Sequence, residues 1–387
     1  MKRFALLAAL AACGGNTDRT AWLGTMDTLP NGVIVVSNPA AGLWDSATAW
    51  TFHEELIIGS ELDTLNLLSQ VTGLEADSSG RVYVLERSIP AVLVYDPAGK
   101  LIRKIGREGD GPGEFREPSG LGLDGMGRLW VVEGSHQRWS TFDRDGHHIA
   151  TRQRPTGSYG YYWSGKFLDT GALIDQLDGR DASGHTQPLL GRYDSLRGMV
   201  DTLPLPYTLT GDNNYKLVHA NGYSVMAIPY YPSYWNSIDP RGYVWVGNTG
   251  SYQLTQLNMK GDTVRIIRKE SAGVPVTGAE RDSAIALVRK VAEGASFDEG
   301  RIPRVKPVLE RVLVDDSGYV YAMTPEPTGT TFDVFDPNGR YLGGMHTPRR
   351  VGPWRQLAPM IVKRGKMWAV VVDEDDVPRV VQWRVGS

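Results

Sequence analysis

One short pattern recurs along this chain of 387 residues and restricts its fold more than any other feature. It reads Asp, two residues, Gly, one residue, then a β-rich run with an aromatic three places after the Gly. The copies are Asp77-Ser-Ser-Gly80-Arg-Val-Tyr83, Asp124-Gly-Met-Gly127-Arg-Leu-Trp130, Asp239-Pro-Arg-Gly242-Tyr-Val-Trp245 and Asp315-Asp-Ser-Gly318-Tyr-Val-Tyr321. Two further copies are degenerate. Asp169-Thr-Gly171-Ala-Leu-Ile174 lacks one residue and the aromatic, and Lys363-Arg-Gly365-Lys-Met-Trp368 lacks the Asp. From Gly80 to Gly365 the mean spacing is 57 residues. A fixed period of this size marks a repeat architecture.

A second pattern follows five of the six copies, by about fifteen residues in most. It is an aromatic or Leu, then Asp or Asn, a short polar turn and Gly. Examples are Tyr95-Asp-Pro-Ala-Gly99, Phe142-Asp-Arg-Asp-Gly146, Leu257-Asn-Met-Lys-Gly261 and Phe335-Asp-Pro-Asn-Gly339; Tyr193-Asp194 through Gly198 is a looser copy. Each pattern has hairpin chemistry: Asp or Asn bonds to its own turn and Gly accepts a positive φ. Two hairpins per repeat make four antiparallel strands. Six such repeats specify an all-β, six-bladed β-propeller. The sixth repeat reaches only a third strand, Arg379–Val385, with Trp383 at the aromatic place. Asn31-Gly32 is followed by Val33-Ile34-Val35-Val36, a β-branched run without a partner. This N-terminal run is expected to complete the last blade and close the ring, leaving no open seam.

Gly106-Arg-Glu-Gly-Asp-Gly-Pro-Gly-Glu-Phe115 and Pro118-Ser-Gly-Leu-Gly-Leu-Asp124 resemble the turn between blades in NHL-repeat propellers. The resemblance covers roughly residues 70–150 well and the rest weakly. It implies the propeller fold and leaves function open, because propellers carry unrelated activities. More narrowly, the chain looks like the six-bladed β-propeller lipoproteins of bacteria. Gly106–Phe115 is also glycine-rich enough to be compared with a phosphate loop. It lacks the Gly-Lys-Ser/Thr ending and a strand follows it, so a tight inter-blade turn is the reading.

The N-terminus reads as an address. Lys2-Arg3 precedes the apolar run Phe4–Ala12, which fits a signal-peptide core and is too short to span a bilayer. Leu10-Ala11-Ala12-Cys13 resembles a bacterial lipobox, which implies removal of residues 1–12 and acylation of Cys13. Several buried acyl chains hold firmly, at about 0.8 kcal/mol per CH₂. Residues 13–30 are then a tether and 31–387 the propeller. Gly14 stands where an inner-membrane retention signal places Asp. By analogy with envelope sorting, the expected location is the outer membrane, facing the periplasm or the exterior.

Composition removes several classes. The formal net charge is −3, from 41 basic and 44 acidic residues without long runs of either sign. Nucleic-acid binders carry a basic stripe, so nucleic acid is not expected as a partner. Cys13 is the single cysteine, so an intramolecular disulfide is impossible. The second half carries two insertions. Residues of about 157–237 hold Tyr159-Gly-Tyr-Tyr-Trp163 and Tyr230-Tyr-Pro-Ser-Tyr-Trp235, each just before an inner strand. Such clusters either wall a binding face or pack between blades. Residues of about 275–307 hold a capping box, Thr277-Gly-Ala-Glu280, then Ala284, Ile285, Val288 and Val291 on one helical face. A short amphipathic helix lying on the propeller is expected, with Gly294 ending it and Arg281, Arg289 and Lys290 in water.

No sequence motif declares chemistry. Gly-x-Ser-x-Gly and His-Glu-x-x-His are absent. The leading expectation is a non-catalytic binding or scaffold lipoprotein of the cell envelope. Tyr162, Trp163, Tyr234 and Trp235 are the candidate contacts, joined by His136 and Arg138. An envelope protein or a glycan is the expected partner, and the chain is expected to be a monomer without a cofactor. A rival is a calcium-dependent hydrolase resembling gluconolactonase or paraoxonase. Its oxygen ligands would come from Glu86, Glu133, Asn213, Asn214, Asn236 or Asn248. Convergence of His136, His185 and His219 on zinc is a weaker alternative. A structural part of an envelope assembly is a third class.

Overall fold

In the computed structural model, residues 22–59, 67–134, 136–154, 163–180, 182–184, 186–194, 198–207, 213–219, 222–325, 330–352, 358–373 and 377–387 are described. Cys13, the leader, Tyr162 and His185 lie outside them. Strands β1 (Thr25–Thr28), β2 (Ile34–Asn38) and β3 (Thr51–Ile58) precede the blades. Blade one is β4 (Val71–Ala76), β5 (Val82–Glu86), β6 (Ala91–Tyr95) and β7 (Leu101–Ile105). Blade two is β8 (Pro118–Leu123), β9 (Leu129–Glu133), β10 (Arg138–Phe142) and β11 (His148–Gln153). Blade three is β12 (Lys166–Phe167), β13 (Leu173–Arg180), β14 (Thr186–Asp194) and β15 (Gly198–Pro204). The hairpin β16 (Asn214–His219) and β17 (Gly222–Ala227) leads to blade four, β18 (Tyr234–Asp239), β19 (Tyr243–Asn248), β20 (Gln253–Asn258) and β21 (Thr263–Lys269). Helix α1 (Gly278–Ala292) precedes blade five, β22 (Arg311–Val314), β23 (Val320–Thr324), β24 (Thr331–Phe335) and β25 (Tyr341–His346). Blade six is β26 (Met360–Lys363), β27 (Lys366–Val372) and β28 (Pro378–Gly386), with β3 as its fourth strand. The chain is thus a six-bladed propeller of four-stranded antiparallel sheets.

Each recurrent Asp does two jobs. Asp124 accepts the backbone N–H of Met126 and Arg128 at 3.0 and 2.9 Å, which closes the turn between first and second strands. Its other oxygen accepts Trp130 Nε1 at 2.9 Å. Asp77 and Tyr83, Asp239 and Trp245, and Asp315 and Tyr321 repeat this clasp. The aromatic is thereby fixed against the next blade. Trp130 packs with Trp139, Leu173, Tyr193 and Phe167 across the second and third blades. In the Gly106–Phe115 turn, Phe115 is fully buried and its ring occupies the space beside Gly106, where a Cβ would come within 2.2 Å of it. Gly106 has φ +81, so the position requires Gly on both counts.

The ring closes through an N-terminal strand, but not the expected one. Thr51–Ile58 pairs with β28, for example Val381 with Ile57 and Val385 with Phe52. The run Val33–Val36 instead enters β2, which lies parallel to β21 on the outside of blade four, with β1 beyond it. The reason is burial. An outermost blade strand faces water, and β3 is largely exposed and polar. Val36 is fully buried between the fourth and fifth blades, a place that suits a continuous β-branched run. Asn38 locks this seam: its amide donates to Arg268 O and Gly339 O at 3.1 and 3.0 Å, and its Oδ1 accepts Tyr341 N at 2.7 Å. Residues 25–28, within the stretch read as a tether, are the strand β1.

The insertions also differ in detail. Blade three lies inside the stretch 157–237, so the added structure there is the hairpin β16–β17. Helix α1 starts with the capping box at Thr277 and Glu280 and ends with Glu293 and Gly294 at positive φ. It packs on this hairpin. Ala284, Val288 and Ala292 meet Tyr215, Leu217 and Ile228, while Val291 is exposed. The helix therefore covers the other insertion, and the two form one satellite core. Arg281 is not in bulk water. It donates to the Ile302 and Glu299 carbonyls at 2.9 and 2.7 Å and ties down the segment after the helix.

Candidate functional site: the central channel

The first strands of all six blades line one cavity of roughly 420 Å³. Its wall includes Thr72–Glu75, Gly120, Trp163–Lys166, Ser233–Ile238, Glu310–Val314 and Pro359–Lys363. A second cavity of roughly 280 Å³ continues toward the turns between first and second strands. The charged groups Glu75, Lys166 and Lys363 border both, so they mark the waist of a single channel.

The upper end is aromatic. Trp163 donates its backbone N–H to Ser119 O at 2.9 Å and its Nε1 to Asp175 Oδ1 at 2.7 Å. Asp175 is fully buried and also receives Arg154 through two bonds of 2.6 and 2.8 Å. This fork carries one carboxylate, one guanidinium and one indole. Gly120 makes room for it, since a Cβ there would lie 2.4 Å from Trp163 Cβ. Tyr234 stacks on Tyr207 with centroids 4.2 Å apart. Burial pushes its phenol up, the nearby Tyr207 adding to the effect. Trp235 packs with Trp245, Tyr252 and Leu254. Arg311 donates to Ala358 O at 2.6 Å, and burial lowers its guanidinium to about 10, so it stays charged at neutral pH.

The waist is ionic. Lys363 Nζ lies 2.5 Å from Glu75 Oε1. Lys166 enters the same space, and no hydrogen bond or ion pair of its ammonium occurs among the described residues. The encircling strands desolvate that ammonium and Lys363 repels it, while Glu75, Asp239 and Asp169 act in the opposite sense; the result is a value lowered to about 8. Lys166 is reached by solvent only in part, through the lumen.

The structure thus brings Trp163, Tyr234 and Trp235 to one channel. His136 and Arg138 lie elsewhere, on the loop side of blade two. Arg138 pairs with the fully buried Glu133 and donates to Asp110 O and Glu114 O at 2.9 and 3.0 Å. His136 sits 3.3 Å from Asp110 and 3.4 Å from Glu133. Both hold the Gly106–Phe115 turn. Glu86 is likewise used as a cap, accepting the backbone N–H of Ser69, Gln70 and Ser88 at 2.8 to 3.0 Å. The carboxylates offered to calcium therefore end their strands by bonding to backbone. His219 bonds Ser224 on the added hairpin, apart from His136. Among the described residues, no three His, Cys, Asp or Glu side chains gather as a metal site.

Sequence reasoning missed Lys166, Glu75, Lys363 and Arg311. A signal existed. Lys166 pairs across its blade with Ile174 and Glu75 with Tyr83, the aromatic place of each repeat. Residues at that register form one layer around the channel, and the charges of Lys166 and Glu75 stand out there; Lys363, opposite Lys366, and Arg311, opposite Met323, lie off that register and carried no such signal.

The comparisons agree with this architecture. Residues 63–159 match the family DUF5128, described as a 6-bladed beta-propeller. NHL repeat-containing protein 3 of Mus musculus is 25% identical over 174 residues, 39% of this chain; the match spans 46% of that relative's length. A Bacteroides fragilis protein described as exported superposes with TM-score 0.51 at 11% identity, over 91% of this chain and 100% of that one. A DUF4221 member from Bacteroides vulgatus gives 0.51 at 12% identity, over 87% and 98%. Repeats, blades and matches converge: the chain is a six-bladed β-propeller, similar over part of its length to an NHL repeat-containing protein.

Proposed function

We propose that this propeller is a non-catalytic ligand-binding module of the bacterial cell envelope, held to the membrane through acylated Cys13, and that the central channel is its binding site. One observation carries the reading: a cavity of roughly 420 Å³ bordered by all six blades, with Trp163 and Tyr234 at its upper end and charged groups below. That volume lies within the range of small-ligand sites, which combine apolar walls with a few placed polar groups. An envelope glycan or a short peptide end has the dimensions to enter.

Two measurements test it. Full-length protein made with its own leader is weighed intact; a mass matching acylated Cys13 as first residue supports the anchor, and an unmodified Met1 rejects it. Intrinsic fluorescence is then titrated with envelope glycans and short peptides. Saturable quenching that Trp163→Phe removes supports the channel. Saturable binding that Trp163→Phe leaves unchanged moves the site elsewhere. Trp235→Ala is unsuitable here, since Trp235 belongs to the core between blades.

A further inference from the structure

Most charged side chains inside this propeller are answered. Asp175 has Arg154, Glu133 has Arg138, Asp239 has Arg241, and Glu75 has Lys363. Lys166 differs: it is the cation of the waist whose charge no partner meets among the described residues. It also borders both parts of the channel, so whatever enters from the aromatic end reaches it. A group with this placement has no packing role that an apolar side chain would not fill better. Resting on the channel-binding reading, we propose that the waist is a carboxylate site. Lys166 and Lys363 clasp the monoanionic head of a small organic acid, whose body lies against Trp163 and Tyr234.

The charge balance selects the head group. The charged groups that border both parts of the channel, Lys166, Lys363 and Glu75, sum to one positive charge, which a single carboxylate neutralises; Asp169 borders only the lower part and Asp239 neither. A phosphate dianion would overfill the waist and face Glu75 directly. Arg311, higher in the channel, is turned to the Ala358 carbonyl and leaves the head to the lysines. Desolvation by the surrounding strands, with repulsion from Lys363, holds Lys166 at about 8. An arriving carboxylate restores the charged form.

Cyanate footprinting of the full-length protein tests this, with benzoate as probe. Near pH 8 a substantial fraction of Lys166 is free amine and reacts. Lys260, exposed on the outer turn of blade four, is the reference amine. At about twenty times a millimolar dissociation constant, bound benzoate slows modification of Lys166 by about twentyfold. Lys260 is unchanged, and benzyl alcohol or matched sodium chloride gives no such protection. Lys166→Met is expected to remove benzoate protection of Lys363. Equal protection by benzoate and benzyl alcohol would overturn the carboxylate site while leaving channel binding intact. If neither probe protects Lys166, and no glycan or peptide quenches Trp163, both readings fall.

Discussion

The two ends of the central channel follow different rules. At the upper end the charged groups are tied down, Asp175 to Arg154 and to the Trp163 indole, Arg311 to a backbone carbonyl, while the Tyr234 hydroxyl and Trp235 Nε1 are buried without a hydrogen-bond partner among the described residues. At the waist, Glu75 and Lys363 answer each other and Lys166 faces open lumen. The first arrangement makes a rigid wall. The second keeps an interaction in reserve. Burying an unpaired charge is costly, so a fold built for stability alone would replace it. The contrast separates groups that shape the site from a group left for something else.

The contrast breaks first at the upper end. Asp175→Ala strands the Arg154 guanidinium and the Trp163 indole together. Its cost is expected at about 3–5 kcal/mol, the range for removing one partner of a buried ion pair. Urea unfolding measures it, and a loss near zero would mean that solvent reaches this fork. The waist should respond with the opposite sign. Lys166→Met exchanges a desolvated cation for an apolar chain of similar length and should stabilise the protein by on the order of 1–3 kcal/mol at neutral pH. The unfolded chain holds that proton up to about 10.5 and the folded one only to about 8. Between these values the unfolded state binds more protons, so wild-type stability rises with pH. The variant's advantage is therefore full below about 8 and gone above 10.5. A constant advantage across that window would show that the ammonium is solvated.

Smaller effects sharpen the same contrast. Trp163→Phe keeps an aromatic ring, though a smaller one, and loses the hydrogen bond to Asp175, at about 1–2 kcal/mol by thermal or urea unfolding. It leaves the waist chemistry of Lys166 unchanged in the cyanate assay. Lys363→Met frees Glu75 to meet Lys166. Cyanate modification of Lys166 near pH 8 should then slow, because the new partner favours the charged form. Unchanged reactivity would place Glu75 out of reach of Lys166.

The repeat made the blades legible, because turn chemistry is local. Asp77, Gly80 and Tyr83 fix one another within seven positions. Ring closure was only half legible. The need for an N-terminal strand followed from the short sixth repeat, but Thr51–Ile58 carries His and two Glu on a largely exposed strand and resembles no core segment. The β-branched Val33–Val36 advertised burial, and it is buried, against a different blade. Of the aromatic clusters, Trp163, Tyr234 and Trp235 border the channel, while Tyr230 and Tyr231 pack against the satellite core. The waist stayed hidden because its members come from three blades, separated by some 290 positions between Glu75 and Lys363. Register connects Glu75 and Lys166, whereas Lys363 lies two residues beyond the matching position, Ile361 opposite Trp368.

The seam at Asn38 bears on how the molecule is assembled in time. Asn38 bonds to Tyr341 across 303 positions, and β3 joins β28 across more than 300. A ribosome releases the N-terminal strands long before their sheet partners exist. Until then β2 has only β1 to pair with and β3 has no ladder to join, and β-branched β2 in particular is an exposed aggregation hazard. Contacts of such sequence separation are slow to form. Capture of the strap that threads from blade four past blade five to blade six is therefore expected among the late steps of folding. A binding partner that recognises the closed ring would, by the same logic, report that this capture has occurred.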